Sequence, residues 1–396
     1  MRTVNPSSLE SSKMSDYSNE LRKVINTGSK KRIAIDLFGK ESDARKPRFI
    51  STGSTILDYM ISNSRNGGIP RGKMVEFSGF NASGKSLLGS TIIASTQRLG
   101  GLGILIDNEH AANFGFMETL GVDLEDLVYL ETDNVEETFD TIEKIIANVI
   151  EKRKAGNDKP VTIVWDSVSV TPSTEEFAGN YERNLHRSMQ KAKALELGLK
   201  KLILTFGRAD ITLVFLSHLK QIVPKPMFGD EFYTPGGQSI PYYSSARVRL
   251  FQSTRIKPAS KDTQLKNNGI TCRAECVKTR FGPSLRSCKF PIYFDMGIAD
   301  EESWYDVLRE SKYIKGVTKK YLCNKDVSDA EAKEVGYGFF TKADDKAGWV
   351  KLMQENPEAR KFAEDKLEEH LVVNYLKKQI HDKDKPNGIE ENGESR

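Results

Sequence analysis

Residues 74–86, "MVEFSGFNASGKS", decide the fold of this chain. Residues 74–79 form an apolar run typical of a buried strand, and the segment 79–86 fits the pattern G-x-x-x-x-G-K-[ST]. A helical pattern that includes Leu87 and Leu88 follows directly. A strand, a glycine-containing turn and a helix in this order predict a loop that binds phosphate through backbone N–H groups and a helix N-terminus.

Each residue type in this loop has a predicted role. Gly79 and Gly84 allow the tight backbone. Lys85 would neutralise the β- and γ-phosphates of ATP, and Ser86 would ligate Mg²⁺. A chance Gly-Lys-Ser sequence is the alternative, which the flanking strand and helix disfavour. The predicted nucleotide contacts are Gly79, Phe80, Asn81, Ala82, Ser83, Gly84, Lys85, Ser86 and Leu87.

Strand-like apolar runs alternate with helical patterns around this loop. The runs are 102–107, 161–166, 211–217, 246–252 and 272–278. This alternation predicts right-handed βαβ units and a mainly parallel twisted sheet with helices on both faces, which is an α/β fold. Ligands of such sheets lie at the carboxyl ends of the strands. The residues at these ends are Gly79, Asp107 to Glu109, Asp166 and His218.

Polar side chains at these strand ends indicate metal binding and acid–base chemistry. Asp166 ends the run "VTIVWD" and is a natural partner of Mg²⁺ beside the phosphate loop. Glu109, in "IDNEHA", is the candidate base that orients or deprotonates the attacking water. The alternative for Glu109 is an acid that favours a helix N-terminus. Phe116 is a candidate for stacking on adenine, and the alternative is an ordinary core position.

Two long segments, 171–190 and 219–239, leave the same edge of the sheet, and His218 stands just before the second. Basic residues occur in and near both segments, together with the aromatic residues Tyr181, Phe228, Phe232 and Tyr233. This combination is typical of sequence-independent binding of single-stranded DNA, and a solvated amphipathic face is the alternative. The basic residues are Arg183, Arg187, Lys191, Lys193, Lys200, Lys201, Lys220 and Lys225.

Length, composition and net charge limit the class of protein to which this chain can belong. The chain has 396 residues, of which 38% are hydrophobic and 29% charged, as expected of a globular protein with polar ends. A net charge of +4 is too small for a generic polycation, so DNA binding would need local basic patches. No apolar run approaches the roughly 18 residues of a membrane helix, and no signal-peptide core is present. We therefore expect a cytoplasmic protein without a membrane partner.

The cysteines favour reduced, buried thiols over a metal site. The chain has four cysteines and no Cys-x-x-Cys pair, which argues against structural zinc. Cys272, Ala274 and Cys276 alternate, which predicts small buried residues on one face of a strand.

Changes in composition and sequence pattern along the chain divide it into regions. Residues 1–49 form an N-terminal segment, in which 1–15 are polar and predicted to be disordered. Residues 16–38 combine a helical pattern with an apolar patch and are too few to fold alone, so they need a surface on which to dock. Residues 50–300 are the ATPase core, 301–380 a small C-terminal α/β domain, and 381–396 a tail predicted to be disordered.

Four further stretches, taken in order, carry a family resemblance. These are "ISTGSTILD", "IDNEHA", "WDSV" and "TPGGQSIPYYSSARVRL". With the phosphate loop they resemble the RecA family of ATP-dependent strand-exchange proteins, over roughly residues 50–300 and more loosely in the C-terminal domain. The divergence is similar to that of a phage recombinase of the UvsX type.

The resemblance implies roles for site residues. Glu109 falls at the position of the family's catalytic glutamate, Phe116 where a tyrosine packs on adenine, and Asn113 where an aspartate often lies near the base. Lys278 and Arg280, in "VKTRFGP", match two lysines that reach the nucleotide of a neighbouring protomer. Arg280 keeps the positive charge and adds a planar fork for phosphate. A solvated strand end is the alternative for this pair.

His218 falls where bacterial members have glutamine and UvsX-type proteins have histidine, facing the γ-phosphate. The resemblance therefore implies a sensor that transmits the presence of the γ-phosphate to the second segment. A histidine satisfied by the strand edge is the alternative. The implied DNA contacts are Arg187, Lys200, Lys201, Lys220, Gly236, Gly237 and Gln238.

The resemblance also implies an assembly and an activity. Residues 16–38 would dock on the next protomer, and a head-to-tail contact that does not close produces a helical filament. We expect an ATP- and Mg²⁺-dependent recombinase that coats single-stranded DNA, pairs it with homologous duplex DNA and hydrolyses ATP when DNA is bound. Single-strand-binding and mediator proteins are candidate partners. The alternatives are a hexameric helicase or ring ATPase, a DNA-binding mediator with a vestigial site, and a small-molecule kinase.

Overall fold

The computed structural model describes residues 17–21, 23–27, 47–178, 185–258, 267–340 and 345–373, with the backbone alone at 185–188. The chain divides into two compact units, 1–48 and 49–396. In the first unit the described residues 17–21 and 23–26 are helical and are called α1. The rest of the predicted docking segment, and the predicted disorder at 1–15 and 381–396, lie outside the described residues.

Short and long strands occur throughout the second unit. The strands in the described residues are β1 (Phe49–Ile50), β2 (Ile69–Pro70), β3 (Met74–Gly79), β4 (Leu102–Asp107), β5 (Leu127–Leu130), β6 (Val161–Asp166), β7 (Ile211–His218), β8 (Lys220–Gln221), β9 (Phe232–Tyr233), β10 (Ala246–Ile256), β11 (Gly269–Thr279), β12 (Arg286–Tyr293), β13 (Gly297–Ile298), β14 (Ile314–Lys315), β15 (Lys319–Leu322) and β16 (Tyr337–Phe340). The predicted runs 74–79, 102–107 and 161–166 coincide with β3, β4 and β6.

Helices connect most of these strands. The remaining helices in the described residues are α2 (Thr55–Ser62), α3 (Lys85–Arg98), α4 (Phe114–Thr119), α5 (Val135–Lys154), α6 (Thr174–Phe177), α7 (Leu185–Ala209), α8 (Ser239–Tyr243), α9 (Asp300–Glu310), α10 (Ala332–Val335), α11 (Asp345–Glu355) and α12 (Pro357–Leu371). The longest of them, α5 and α7, carry apolar residues at helical spacing and pack against each other.

One nine-stranded sheet forms the centre of this unit, in the order β13-β12-β11-β10-β3-β7-β6-β4-β5. The strands from β10 to β5 run parallel, and β11 to β13 extend the sheet with antiparallel pairs. Helices flank the sheet. The predicted α/β fold class, with a mainly parallel sheet and flanking helices, is confirmed.

The central strands β6 and β7 are mostly apolar because helices cover both faces of the sheet there. In β7, Val214 and Leu216 pack in a cluster with α3, whereas Leu213 and Phe215 pack in a second cluster with α5 and α7. All four side chains are fully buried. Burial on both faces places the polar side chains at the strand ends, where the phosphate loop also lies.

The cysteine-containing strand β11 has the predicted alternation. Cys272, Ala274 and Cys276 are fully buried and belong to the same cluster as α3. This prediction of small residues on one strand face is confirmed. In the described part of the chain, no helix is long and apolar enough to cross a membrane.

The C-terminal residues combine the antiparallel sheet β14-β15-β16 with α9, α11 and α12. A third apolar cluster joins Trp304 and Trp349 from this region to Ile56 and Tyr59 of α2. Core and C-terminal side chains therefore share one packed interior. The predicted domain boundary near residue 300 stays a prediction.

The two long segments are less irregular than the sequence suggested. In 171–190, Ser173 and Glu176 form a capping box that starts α6, and α7 already begins at Leu185. In 219–239, β8 pairs with β9, so the segment contains a hairpin. The described residues of both predicted loops therefore contain short elements, because capping and strand pairing satisfy part of their backbone groups locally.

Candidate active site

The phosphate loop joins β3 to α3 in a conformation that needs its glycines. Gly84 has φ 92°. A Cβ atom at Gly79 would lie 2.7 Å from the backbone oxygen of Leu250. α3 begins after Gly84 without a side-chain cap, so the N–H groups of its first turn are available to an anion.

Lys85 is buried and lies across this loop. Its Nζ donates hydrogen bonds to the backbone oxygens of Gly79 at 3.0 Å and Phe80 at 2.8 Å. Burial lowers the pKa of Lys85, and the carboxylates of Asp166 and Glu109 oppose this shift. The ammonium group is therefore held beside the loop by carbonyl groups that a phosphate can replace.

The two predicted Mg²⁺ ligands lie together. Burial raises the pKa of Asp166 to about 6, and the nearby carboxylates of Glu109 and Asp107 add to this rise. A side-chain hydrogen bond with Ser86 and the charge of Lys85 oppose it. A hydroxyl and a partly buried carboxylate in contact are oxygen ligands of the type that Mg²⁺ takes beside phosphate, so these residues fit the ion.

Asp107 shapes the segment that carries Glu109. Its carboxylate accepts hydrogen bonds from the backbone N–H groups of Glu109, Ala111 and Ala112, each at 3.0 Å. The hydroxyl of Tyr129 also donates to it, at 3.2 Å. These contacts fix the backbone after β4 and set the direction of the Glu109 side chain.

Glu109 contacts residues from two other strand ends. Its Oε1 accepts a hydrogen bond from Ser167 Oγ at 2.5 Å and lies 3.0 Å from His218 Nε2. The side chains of Glu109 and His218 are 30% and 25% exposed, so both remain open to a ligand. The structure thus brings the candidate base and the candidate sensor into direct contact.

A cavity of about 190 Å³ lies beside this cluster and is lined in part by Ser86, Asp166, Asn113 and Phe116. It therefore connects the predicted metal ligands to the predicted adenine residues. Asn113 Oδ1 accepts the backbone N–H of Phe116 at 3.0 Å and caps α4, so its carbonyl has a structural partner. Phe116 is partly exposed at the cavity.

The predicted trans-acting pair lies at the end of β11. Lys278 Nζ donates to the backbone oxygens of Pro241 at 2.8 Å and Tyr242 at 3.0 Å, at the end of α8. Burial lowers the pKa of Lys278, and the charges of Arg280 and Arg247 add to the shift. Arg280 is exposed. Contact of this pair with a neighbour's nucleotide stays a prediction.

The predicted DNA contacts occupy two places. Lys200 and Lys201 are exposed on α7, where Lys201 Nζ lies 2.5 Å from Glu143 Oε1 of α5. Lys220 is exposed on β8. Gly236 and Gly237 have φ values of 111° and 84°, and Gln238 precedes α8. The Arg187 side chain lies outside the described residues, and all these DNA contacts stay predictions.

An aromatic cluster joins the phosphate loop to the β8–β9 hairpin, and sequence reasoning missed it. The ring of Phe232 lies 5.8 Å from that of Phe80 and 5.6 Å from that of Phe251. Arg249 donates to Asp230 Oδ1 at 2.7 Å and holds the same hairpin. No periodic pattern links these positions, which come from three separate segments.

Two serines after β6 were also missed. Ser167 contacts Glu109, and Ser169 Oγ accepts the backbone N–H of His218 at 2.8 Å. Both lie within three residues of the strand end at Asp166. This position at the carboxyl end of a strand could have indicated that they belong to the site.

Comparisons with known proteins identify the family of this chain. The profile of the RecA N-terminal domain matches residues 21–299. The chain is 32% identical over 277 residues to protein RecA of Rubrobacter xylanophilus, which covers 68% of this chain and 75% of the relative. Protein RecA of Arthrospira platensis is 26% identical over 339 residues, covering 86% and 82%. Protein RecA of Prochlorococcus marinus (strain NATL1A) is 28% identical over 376 residues, covering 92% and 89%. The chain therefore belongs to the RecA family.

Proposed function

We propose that this protein is an ATP-dependent recombinase that forms helical filaments on single-stranded DNA and catalyses pairing and strand exchange with a homologous duplex. The observation that carries the proposal is the contact of Glu109 with Ser167 and His218 beside the phosphate loop. A base positioned at the phosphate loop and tied to the start of a basic segment suits an ATPase that responds to DNA.

Different side chains of the site have different roles in ATP hydrolysis. Lys85 and the first turn of α3 hold the phosphates, and Ser86 with Asp166 would hold Mg²⁺, which neutralises charge on the phosphate oxygens. Glu109 orients the attacking water and accepts its proton. The water oxygen bonds to the γ-phosphorus as the bond to the bridging oxygen breaks, which leaves ADP and phosphate.

The DNA-binding role rests on charge and position. Lys220 and the glycines Gly236 and Gly237 belong to the segment that begins directly after His218. Exposed lysines neutralise phosphates, and flexible glycine backbone lets the segment adapt to a strand. In the filament, Lys278 and Arg280 would contact the nucleotide of the next protomer, and residues 16–38 would supply the docking contact. A phage-type recombinase is our finer assignment, because His218 matches the UvsX-type pattern.

The test measures ATP hydrolysis by the purified protein with and without single-stranded DNA, together with strand exchange between a circular single strand and a homologous linear duplex. We expect DNA to stimulate hydrolysis and ATP to be required for exchange. Lys85→Ala is the control, because it removes the phosphate-binding ammonium group. Absence of both stimulation and exchange in the wild type would refute the proposal.

Imaging separates the proposal from its nearest competitor. With single-stranded DNA and a slowly hydrolysed ATP analogue, we expect open helical filaments. Closed rings with and without DNA would instead favour a hexameric helicase or ring ATPase. Undiminished strand exchange by Lys85→Ala would favour a mediator in which the nucleotide site has no catalytic role.

A further inference from the structure

Lys191 is a buried lysine that the mechanism above does not use. It lies on α7, one helical turn before the core residue Leu195, and is 8% exposed. Its Nζ donates a hydrogen bond to the backbone oxygen of Ser169 at 2.9 Å. Lysine is rarely buried without a partner, and burial makes this side chain unsuited to direct contact with a DNA phosphate.

The acceptor of this hydrogen bond lies in the turn 167–170, which follows β6. The same turn presents Ser167 Oγ to Glu109 at 2.5 Å and Ser169 Oγ to the N–H of His218 at 2.8 Å. The backbone N–H of Val168 donates to Leu216 O at 3.2 Å, which ties the turn to β7. Two serines of one turn thus position the candidate base and the candidate sensor, and Lys191 holds that turn from the side of α7.

The charges around Lys191 connect it to both predicted DNA-binding segments. Burial lowers the pKa of Lys191 to about 8, Glu176 of α6 opposes the shift, and Lys220 of β8 adds to it. Lys220 is a predicted DNA contact. A DNA phosphate that neutralises Lys220 removes this repulsion and strengthens the ammonium's hydrogen bond to the turn. DNA bound at Lys220 would therefore act on the turn 167–170 through the charge of Lys191 as well as through contact.

We propose that Lys191 is a positioning residue that transmits DNA binding at α7 and β8 to Glu109 and His218 through the turn 167–170. The inference rests on the proposed function, since it concerns DNA-stimulated ATP hydrolysis. A direct DNA contact is the competing role. The two differ in what the loss of the side chain should change: a positioning residue affects turnover on bound DNA, whereas a phosphate contact affects affinity for DNA and its salt dependence.

The experiment compares Lys191→Met, which keeps the length and apolar stem, with Lys191→Arg and the matched control Lys193→Met. Lys193 is exposed and lies two residues away on the same helix. For each protein, kcat for ATP at saturating single-stranded DNA, kcat without DNA, and DNA affinity are measured. We expect Lys191→Met to lower the DNA-stimulated kcat about tenfold at unchanged DNA affinity. Lys193→Met should change DNA affinity and salt dependence only.

The pH profile supplies a readout that a purely structural role would not move. The ammonium form of Lys191 is favoured below its pKa of about 8 and lost above it. DNA stimulation in the wild type should therefore fall as the pH rises through about 8. In Lys191→Arg, stimulation should persist at higher pH, because the guanidinium group stays charged.

Ser169→Ala gives an independent test, since it keeps the backbone oxygen that Lys191 uses and removes only the hydroxyl that accepts from His218. It should also lower the stimulation of ATP hydrolysis by DNA. If Lys191→Met does not fold, this variant tests whether the turn 167–170 transmits DNA binding to the site. Normal stimulation in Lys191→Met or Ser169→Ala would overturn the inference. A loss of DNA affinity equal to the loss of stimulation would overturn it in favour of direct contact. A wild type without any stimulation would instead refute the proposed function.

Discussion

Glu109 Oε1 is shared by two partners, Ser167 Oγ and His218 Nε2. These two contacts fix the orientation of the Glu109 side chain. A γ-phosphate placed between Lys85 and His218 would compete for the histidine's proton. In the proposed mechanism, a bound γ-phosphate would therefore change the contacts of His218, which stands directly before Leu219 and the second segment.

We predict that His218→Ala keeps ATP binding but loses the effect of ATP on DNA affinity. The phosphate loop and Lys85 are unchanged in this variant. The contact between Glu109 and His218, the residue directly before the second segment, is removed. Fluorescence anisotropy of labelled single-stranded DNA, with and without ATP, measures the effect. His218→Gln is the control, because its amide retains a donor and should preserve part of the response. A normal ATP response in His218→Ala would show that His218 is not the sensor.

At the scale of elements, the β8–β9 hairpin has two attachments to the core. The ring of Phe232 packs on Phe80 of the phosphate loop and on Phe251 of β10. Arg249, which is 7% exposed, pairs with Asp230 at the turn side of β9. One aromatic cluster and one ion pair therefore link the hairpin to the phosphate loop and to β10.

We predict that Phe232→Ala loosens the hairpin without unfolding the core. Aromatic packing of this kind contributes about 0.5–1.5 kcal/mol beyond area burial, which is small beside the stability of a large core. Hydrogen exchange of residues 220–233 should become faster, while exchange in β3 and β7 stays slow. The neighbouring Tyr233→Ala is the control, because Tyr233 is 47% exposed and lies outside this cluster. Equal effects of the two substitutions would contradict the role of the cluster.

At the scale of the whole molecule, Arg286 of β12 ties the core to the C-terminal helices. Its guanidinium donates to the backbone oxygens of Tyr59 at 2.9 Å and Met60 at 2.8 Å, near the end of α2. It also donates to Leu371 at 2.9 Å, at the end of α12. Helix ends leave backbone carbonyls without intrahelical donors, so Arg286 supplies donors to Met60 of α2 and Leu371 of α12. The Tyr59 oxygen, in contrast, also accepts the N–H of Asn63. This contact helps α2 and α12 share one apolar cluster.

We predict that Arg286→Met lowers the free energy of unfolding by roughly 2–3 kcal/mol, because partly buried carbonyl groups lose their donors. Urea unfolding followed by tryptophan fluorescence measures the change, since Trp304 and Trp349 lie in the shared cluster. Arg65→Met is the matched comparison. It breaks surface ion pairs to Glu364, Asp365 and Glu368 of α12 and should cost about 1 kcal/mol or less. The reverse order of the two effects would contradict this account.

Sequence patterns predicted those features that depend on neighbouring residues. The apolar run of β6 and its terminal Asp166 could be read directly, because a strand buried on both faces is apolar until it reaches the sheet edge. Prediction was weaker in 171–190, where the cap at Ser173 starts a helix within a segment of polar composition. It was weakest for Lys191 and Phe232, whose burial and partners depend on remote elements.

Local sequence patterns were enough to predict the strand–loop–helix of the phosphate loop, the mainly parallel sheet and the strand ends near Glu109 and Asp166. These features follow from hydrophobic periodicity, which identifies strands and helices, and from their alternation, which predicts helices packed on a mainly parallel sheet. Tertiary structure alone decided that Ser167 and His218, which are 58 and 109 residues from Glu109, contact the same carboxylate oxygen. The physical reason is strand order: β7, β6 and β4 are adjacent in the sheet, although long helical connections separate them in the chain.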